Sequence, residues 1–397
     1  MSRLLKIILS AVLIMTMTGC TGGTEQVQTT SGTKTEADVT EQTEETTAVS
    51  ETVSETVTEP ESVSYIDSLI ESMNSEQKAG QILLARYPKE SASEMADKYQ
   101  VGGYTLYADD FKEYSPDAMA KVIKQLQGHF KIPAFMAVDE EGGTVVRVSK
   151  YPQYRLIPFS SQIALARGGE EKVRSEAEEK AQLLSSVGLN FNLAPVADMT
   201  ENHSDYIYDR TFGEDAELTG DYVAMTVEVM NKNNMGSCLK HFPGYGSNLD
   251  THNGISEDSR EITAFEENDF IPFKKGIEAG VPSVMVSHNI VKAFDEENPA
   301  SLSEEVHRVL REDLGFEGVI VTDDMGMEAI TSLESEESVY VRAFLAGNDL
   351  LCVTDLETAY NDIFAAVNDG TITEERLNES IRRILEMKIE LGIISEE

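Results

Sequence analysis

The chain has 397 residues, with 71 Asp and Glu against 32 Lys and Arg, and a formal charge of −39. It is long enough for one large domain or two ordinary ones, and its charge excludes the basic footprint that nucleic acid or an anionic lipid surface would need. Of its three cysteines, Cys238 and Cys352 lie in apolar runs and read as buried free thiols, and no zinc-binding spacing occurs.

Residues 1–19 begin with a short basic stretch (Arg3, Lys6), continue as an apolar run over 7–17, and end in Thr18-Gly19 before Cys20. This is a secretory signal, too short for a comfortable membrane span. Small residues just before a cysteine resemble a bacterial lipobox, which makes Cys20 the acylated first residue of the mature chain. The expected location is extracytoplasmic, lipid-anchored to the bacterial cell membrane. Residues 20–62 are rich in Thr, Glu and Ser. They lack the apolar surface to offset chain entropy and read as an acidic disordered tether. The folded domain is expected over 63–397.

Within it, short β-rich apolar runs recur at 80–86, 101–107, 134–139, 191–197, 236–240, 283–287, 319–322 and 349–353. Helical patterns alternate with them at 115–130, 170–187, 216–234, 263–279, 303–314, 335–346 and 356–369, and an amphipathic helix over 373–391 closes the chain. Gly188, Gly280, Gly315 and Gly347 stand where helices should stop. Strand–helix alternation implies parallel pairing. Eight strands in this length predict an α/β fold, a (β/α)8 TIM-type barrel forming a single catalytic domain; a doubly wound sheet is the competing arrangement.

In such a barrel the chemistry sits at the C-terminal ends of the strands. The third run ends in Asp139-Glu140-Glu141-Gly142-Gly143, with Arg147 beyond. The fourth is followed by a long loop with Asp209 and Arg210, and the fifth ends in Lys240-His241, followed by Asp250 and His252. The sixth ends in Ser287-His288-Asn289 and the seventh in Thr322-Asp323-Asp324. Two carboxylates, or a carboxylate and a histidine, suit cleavage of a glycosidic bond: one group attacks or stabilises the anomeric carbon while the other protonates the departing oxygen. Cations nearby would hold sugar hydroxyls or an anion. No phosphate-cradling glycine loop is present, and no cofactor or resident metal is expected.

These residues carry a resemblance. In order, AVDEEGGTVVRV (137–148), GLNFNLAPVADM (188–199), DRTFGEDAE (209–217), KHFPGYGSNLDTH (240–252), VMVSHNIV (284–291), ENPASLS (297–303), LGFEGVIVTDDMGMEAI (314–330) and AGNDLLCV (346–353) are similar to glycoside hydrolase family 3, and specifically to its single-barrel β-N-acetylglucosaminidase branch. The resemblance implies that Asp323 is the nucleophile and His252 the acid/base, oriented by Asp250. It implies that Asp139, Arg210, Lys240 and His241 hold the sugar, with Arg147 a further candidate. Asp324 is expected to be structural, because neighbouring residues at a strand end point to opposite sides. His288 is placed outside the groups that touch sugar.

The chain departs from the family pattern at Tyr245, where an imidazole is usual, at Glu140 for Gln and at Thr144 for Arg. It also departs after His252, in Asn253-Gly254-Ile255. The glycine-rich loop around His252 would close over bound sugar. The implied activity is a retaining exo-β-N-acetylhexosaminidase acting on terminal N-acetylglucosamine of cell-wall fragments or other amino-sugar glycans. A β-glucosidase, a phosphorylase of the same family and a non-catalytic sugar-binding lipoprotein are the alternatives. A metal-dependent hydrolase with His241, Asp250, His252 and His288 as ligands lacks the paired histidines expected at an early strand.

Overall fold

The computed structural model describes residues 61–395 apart from 201, 214, 334 and 335. The expected signal segment, Cys20 and all of the expected tether before 61 lie outside the described residues. A helix, Glu61–Ser72, spans the expected domain boundary.

Among the described residues ten strands follow in chain order: β1 (Leu83–Arg86), β2 (Gly103–Leu106), β3 (Phe135–Val138), β4 (Phe191–Asn192), β5 (Gly236–Phe242), β6 (Glu257–Asp258), β7 (Ser283–Val286), β8 (Ile290–Val291), β9 (Val319–Thr322) and β10 (Leu351–Val353). Eight of them pair in parallel in the order β10-β1-β2-β3-β4-β5-β7-β9. Thr322 N–H donates to Leu350 O at 3.1 Å, and Val321 bridges Leu350, so the last strands also meet. The ring is the (β/α)8 barrel that the alternation implies. Strands such as VIVT in β9 are buried along their whole length, as parallel strands covered by helices must be. The separate β6–β8 ribbon is parallel and belongs to the loops above the barrel.

Local chemistry sets most of the helix boundaries. Ser115 accepts from Ala118 N–H with Pro116 in the first turn, and Asp215 accepts from Leu218 N–H at 2.8 Å. Gly188 takes a φ of +89°, where a side chain would press on Ile123. At the N-terminal face, buried Asp349 receives Arg383 at 3.0 Å and also pairs with Arg311, which ties the helix over Glu374–Glu390 to the barrel base.

Four details differ from the sequence reading. Residues 80 and 81 end a helix, Ser75–Gln81, so β1 starts at Leu83. The run at 191–197 is a strand only over Phe191–Asn192. Pro195 has no N–H to give the ladder, which resumes as a bridge between Val196 and Lys240. β5 runs two residues further than expected, to Phe242, and its register against β7 shifts between Leu239 and Phe242. The helices around 263–279 and 303–314 each contain a π segment, Phe265–Asp269 and Val309–Asp313.

Candidate active site

A cavity of roughly 520 Å³ opens at the C-terminal ends of the strands, within the range of small-ligand sites. It is lined by Asp139, Arg147, Arg210, Lys240, His241, His252 and Asp323, together with Arg86, Tyr107, Glu141, Tyr206, Tyr245 and Asp324.

Its floor is a charged array fed by three strands. Lys240 lies on β5 with its side chain 3% exposed, and its ammonium reaches Asp139 Oδ1 and Glu141 Oε1, each at 2.7 Å. Glu141 also accepts a bidentate pair from Arg210, Nε at 2.9 Å and Nη2 at 2.8 Å. Burial alone would push the Glu141 carboxyl up, but Arg210 and Lys240 outweigh it and hold the group far below the usual carboxylate range. Lys240 is raised despite burial, by Asp139 and Glu141. Glu141, Lys240 and Arg210 are therefore ionised at neutral pH, and the paired side chains are fixed before any ligand arrives.

Two glycines shape the turn behind Asp139. Gly142 sits at φ +108°, and an added Cβ would lie 2.0 Å from Ser160 O. Within the same turn Glu140 points away from the cavity, and its carboxylate takes the N–H groups of Arg147 and Val148, each at 2.7 Å. Arg147 is thereby anchored by its own backbone, with its guanidinium 3.9 Å from Asp139 and 5.7 Å from the centre of the Tyr107 ring. Arg86, at the end of β1, lies 4.1 Å from the centre of the same ring.

His241 follows Lys240, and both side chains line the cavity, which the register shift of β5 allows. The His241 ring is gripped by buried Asp198, whose Oδ2 lies 2.6 Å from Nδ1 and also takes the His241 N–H at 3.0 Å. Nε2 then faces Arg210 at 3.3 Å.

Asp323 stands at the end of β9. Its Oδ1 accepts from Asp324 N–H at 2.8 Å. Desolvation works to raise its carboxyl, but the His241 and His288 rings, the Asp324 amide and Lys240 hold it below the ordinary range. Asp324 turns the other way, to Gly326 N–H at 2.9 Å and Thr354 Oγ1 at 2.7 Å. His288 is fully buried between Ser301 Oγ (2.8 Å) and Asp324 O (3.1 Å), and desolvation lowers its pKa.

The loop after β5 carries His252, 62% exposed at the cavity edge. Asp250 does not line the cavity. It touches His252 instead, Oδ1 to Nδ1 at 2.7 Å and Oδ1 to the His252 N–H at 3.1 Å. That contact fixes one ring nitrogen and leaves Nε2 for proton transfer. Among the described residues, no group of three or more His, Cys, Asp or Glu is placed to hold a metal ion.

The structure thus gathers Asp139, Arg147, Arg210, Lys240, His241, His252 and Asp323 around one cavity, with Asp250 behind His252. Sequence reasoning did not single out Glu141, Asp198, Tyr107, Arg86 or Tyr206. Period-two alternation at the end of β3 carried the signal for Glu141, since 139 and 141 share a side and 140 does not.

The family described as "Glycosyl hydrolase family 3 N terminal domain" matches residues 74–387. The chain belongs to glycosyl hydrolase family 3. A relative from Cellulomonas fimi, named β-N-acetylglucosaminidase/β-glucosidase, is 27% identical over 84% of this chain; the chain spans 60% of that relative's length. A protein of Hydrogenovibrio crunogenus named β-hexosaminidase is 32% identical over 70% of this chain and 79% of its own. The solved structure of a family 3 β-N-acetylglucosaminidase from a Paenibacillus species superposes with a TM-score of 0.76 at 28% identity, covering 82% of this chain and 64% of that one.

Proposed function

We propose that the chain is a retaining, exo-acting β-N-acetylhexosaminidase that releases terminal β-linked N-acetylglucosamine. The observation that carries the reading is that an ionised Asp323 and an Asp250-oriented His252 border the same cavity. Asp323 attacks the anomeric carbon through Oδ2 while Asp324 N–H holds Oδ1, and the C–O bond to the leaving group breaks. His252 gives its Nε2 proton to the departing oxygen. Water then enters, His252 takes its proton, and the glycosyl-aspartate bond breaks with net retention of configuration. Asp139 accepts from sugar hydroxyls, and Arg147, Arg210 and Lys240 donate to them, while His241 borders the sugar with its Nε2 accepting from Arg210. On the sequence of its first twenty residues, we further propose that Cys20 is lipidated and anchors the enzyme outside the cytoplasm.

The test is a panel of aryl β-glycosides, glucoside against N-acetylglucosaminide, assayed with and without inorganic phosphate. Turnover of the N-acetylglucosaminide, unaffected by phosphate, with free sugar as product, supports the proposal. Preference for the glucoside, or formation of a sugar 1-phosphate, contradicts it.

A further inference from the structure

The loop that bears His252 is attached to the protein in two separate ways. Its outer strand is clamped by charge and by backbone pairing. Arg260 pairs with Asp258 and Asp269, each at 2.8 Å, and donates to Gly244 O at 3.2 Å. Asn248 donates to Asp258 at 2.8 Å, and β6 pairs with β8. None of these contacts reaches residues 250–252.

That turn is tied to a phenol, and Leu249 N–H also donates to Ser256 Oγ at 3.0 Å. Tyr245 is 2% exposed, its N–H donates to Asp198 Oδ1 at 2.8 Å, and its ring lies edge-on to His241, 5.6 Å between centres. Its hydroxyl donates to Leu249 O at 2.9 Å, accepts from Thr251 N–H at 2.9 Å and lies 3.2 Å from Thr251 Oγ1. Thr251 is 1% exposed and is the residue between Asp250 and His252. An unbroken chain of contacts therefore runs from the cavity floor, Arg210–His241–Asp198, through Tyr245 to the peptide bonded to His252. Asp198 uses one oxygen for His241 and the other for Tyr245, so one carboxylate references both groups to the same point.

We propose that Tyr245 is a positioning residue for proton transfer: its hydroxyl sets the height of the 249–251 turn and hence where the His252 imidazole meets the glycosidic oxygen. The inference rests on the reading of His252 as the acid/base. Although Tyr245 borders the cavity, its hydroxyl is taken up by Leu249 O and Thr251, so it acts through Thr251. A phenol spans this gap with one donor and two acceptor positions in use, and phenylalanine would keep the ring packing while releasing the turn. Because the Arg260 clamp is independent of the hydroxyl, the variant retains the rest of the loop.

The experiment compares Tyr245→Phe, His252→Ala and the double variant on two substrates, chitobiose and dinitrophenyl β-N-acetylglucosaminide. Chitobiose needs its leaving oxygen protonated; dinitrophenolate leaves without help. Tyr245→Phe is expected to lower kcat/KM for chitobiose by roughly ten- to hundredfold and for the dinitrophenyl substrate by less than about threefold. On chitobiose the double variant should be no slower than His252→Ala, since both changes remove one function. Equal losses on both substrates for Tyr245→Phe, or no loss on chitobiose, while His252→Ala keeps its own split, overturn the inference and leave the acid/base reading standing. Equal losses for His252→Ala overturn that reading, and the inference falls with it. Amide exchange in the unsubstituted protein gives a check independent of the variants. The Thr251 N–H should exchange at least about tenfold more slowly than a solvated loop amide, and an unprotected Thr251 overturns the inference.

Discussion

Replacing Glu141 with Gln removes one negative charge from the floor of the cavity and changes little in volume. In the native chain two nearly buried cations, Lys240 (side chain 3% exposed) and Arg210 (10%), share Glu141, and Lys240 also has Asp139. With the charge gone, Lys240 keeps Asp139 but Arg210 loses the carboxylate it pairs with, and a desolvated cation is left without its contacting partner. Breaking a buried pair by removing one partner costs about 3–5 kcal/mol. With an unfolding entropy near 2.1 cal/mol/K per residue over this domain, that loss lowers Tm by roughly 4–7 °C.

The pH dependence sharpens the test. The folded carboxyl lies far below its unfolded value, so its stabilisation is complete above pH ~4.3 and drains as pH falls through the folded pKa. Thermal and urea unfolding at pH 7 and pH 3 should show the gap between native protein and Glu141→Gln narrowing in acid by roughly 1–2 kcal/mol. Native-like stability of the variant at pH 7, or a gap that widens in acid, would refute the reasoning.

Lys388 is fully buried at 3.1 Å from Gln81 Oε1, and desolvation pushes its pKa down to about 7. The unfolded chain holds that proton up to about pH 10.4, so folding is penalised increasingly as pH falls from there towards 7. Lys388→Met should therefore be more stable than native at pH 7 by about 1–3 kcal/mol, with the advantage fading by pH 10 in urea titrations; a less stable variant at pH 7 contradicts this. Gly142→Ala places a methyl group 2.0 Å from Ser160 O at φ +108°. It should cost at least about 2 kcal/mol and, by moving Asp139 and Glu141, at least tenfold in kcat/KM; native stability and activity would show that the turn accommodates a side chain.

The barrel was legible because its signals are local. Apolar runs such as VIVT at 319–322, separated by helices that stop at glycines such as Gly188, dictate parallel pairing. Strand ends were less legible where one residue overrides the pattern, as Pro195 does just beyond β4. The early helices Ser75–Gln81 and Ala92–Tyr99 are short, and Ser91 makes no side-chain cap bond, so the second lacks a start signal. Asp139, Lys240, His241 and Asp323 stood out as charged groups at strand ends. Asp198 did not, because it looks like any loop acid until folding brings it against His241 and Tyr245, 43 and 47 positions away. Tyr245 was visible as a departure from a motif, but what its hydroxyl holds depends on how the loop folds back.

The most direct test of the account is to incubate the enzyme with an activated fluorosugar of N-acetylglucosamine, on which glycosyl-enzyme accumulates, and to map the modified peptide by mass spectrometry. One added sugar on the peptide that contains Asp323, at the Asp323 carboxyl, is the predicted result. A sugar carried on another residue, or steady turnover of the N-acetylglucosaminide by Asp323→Ala, would contradict it.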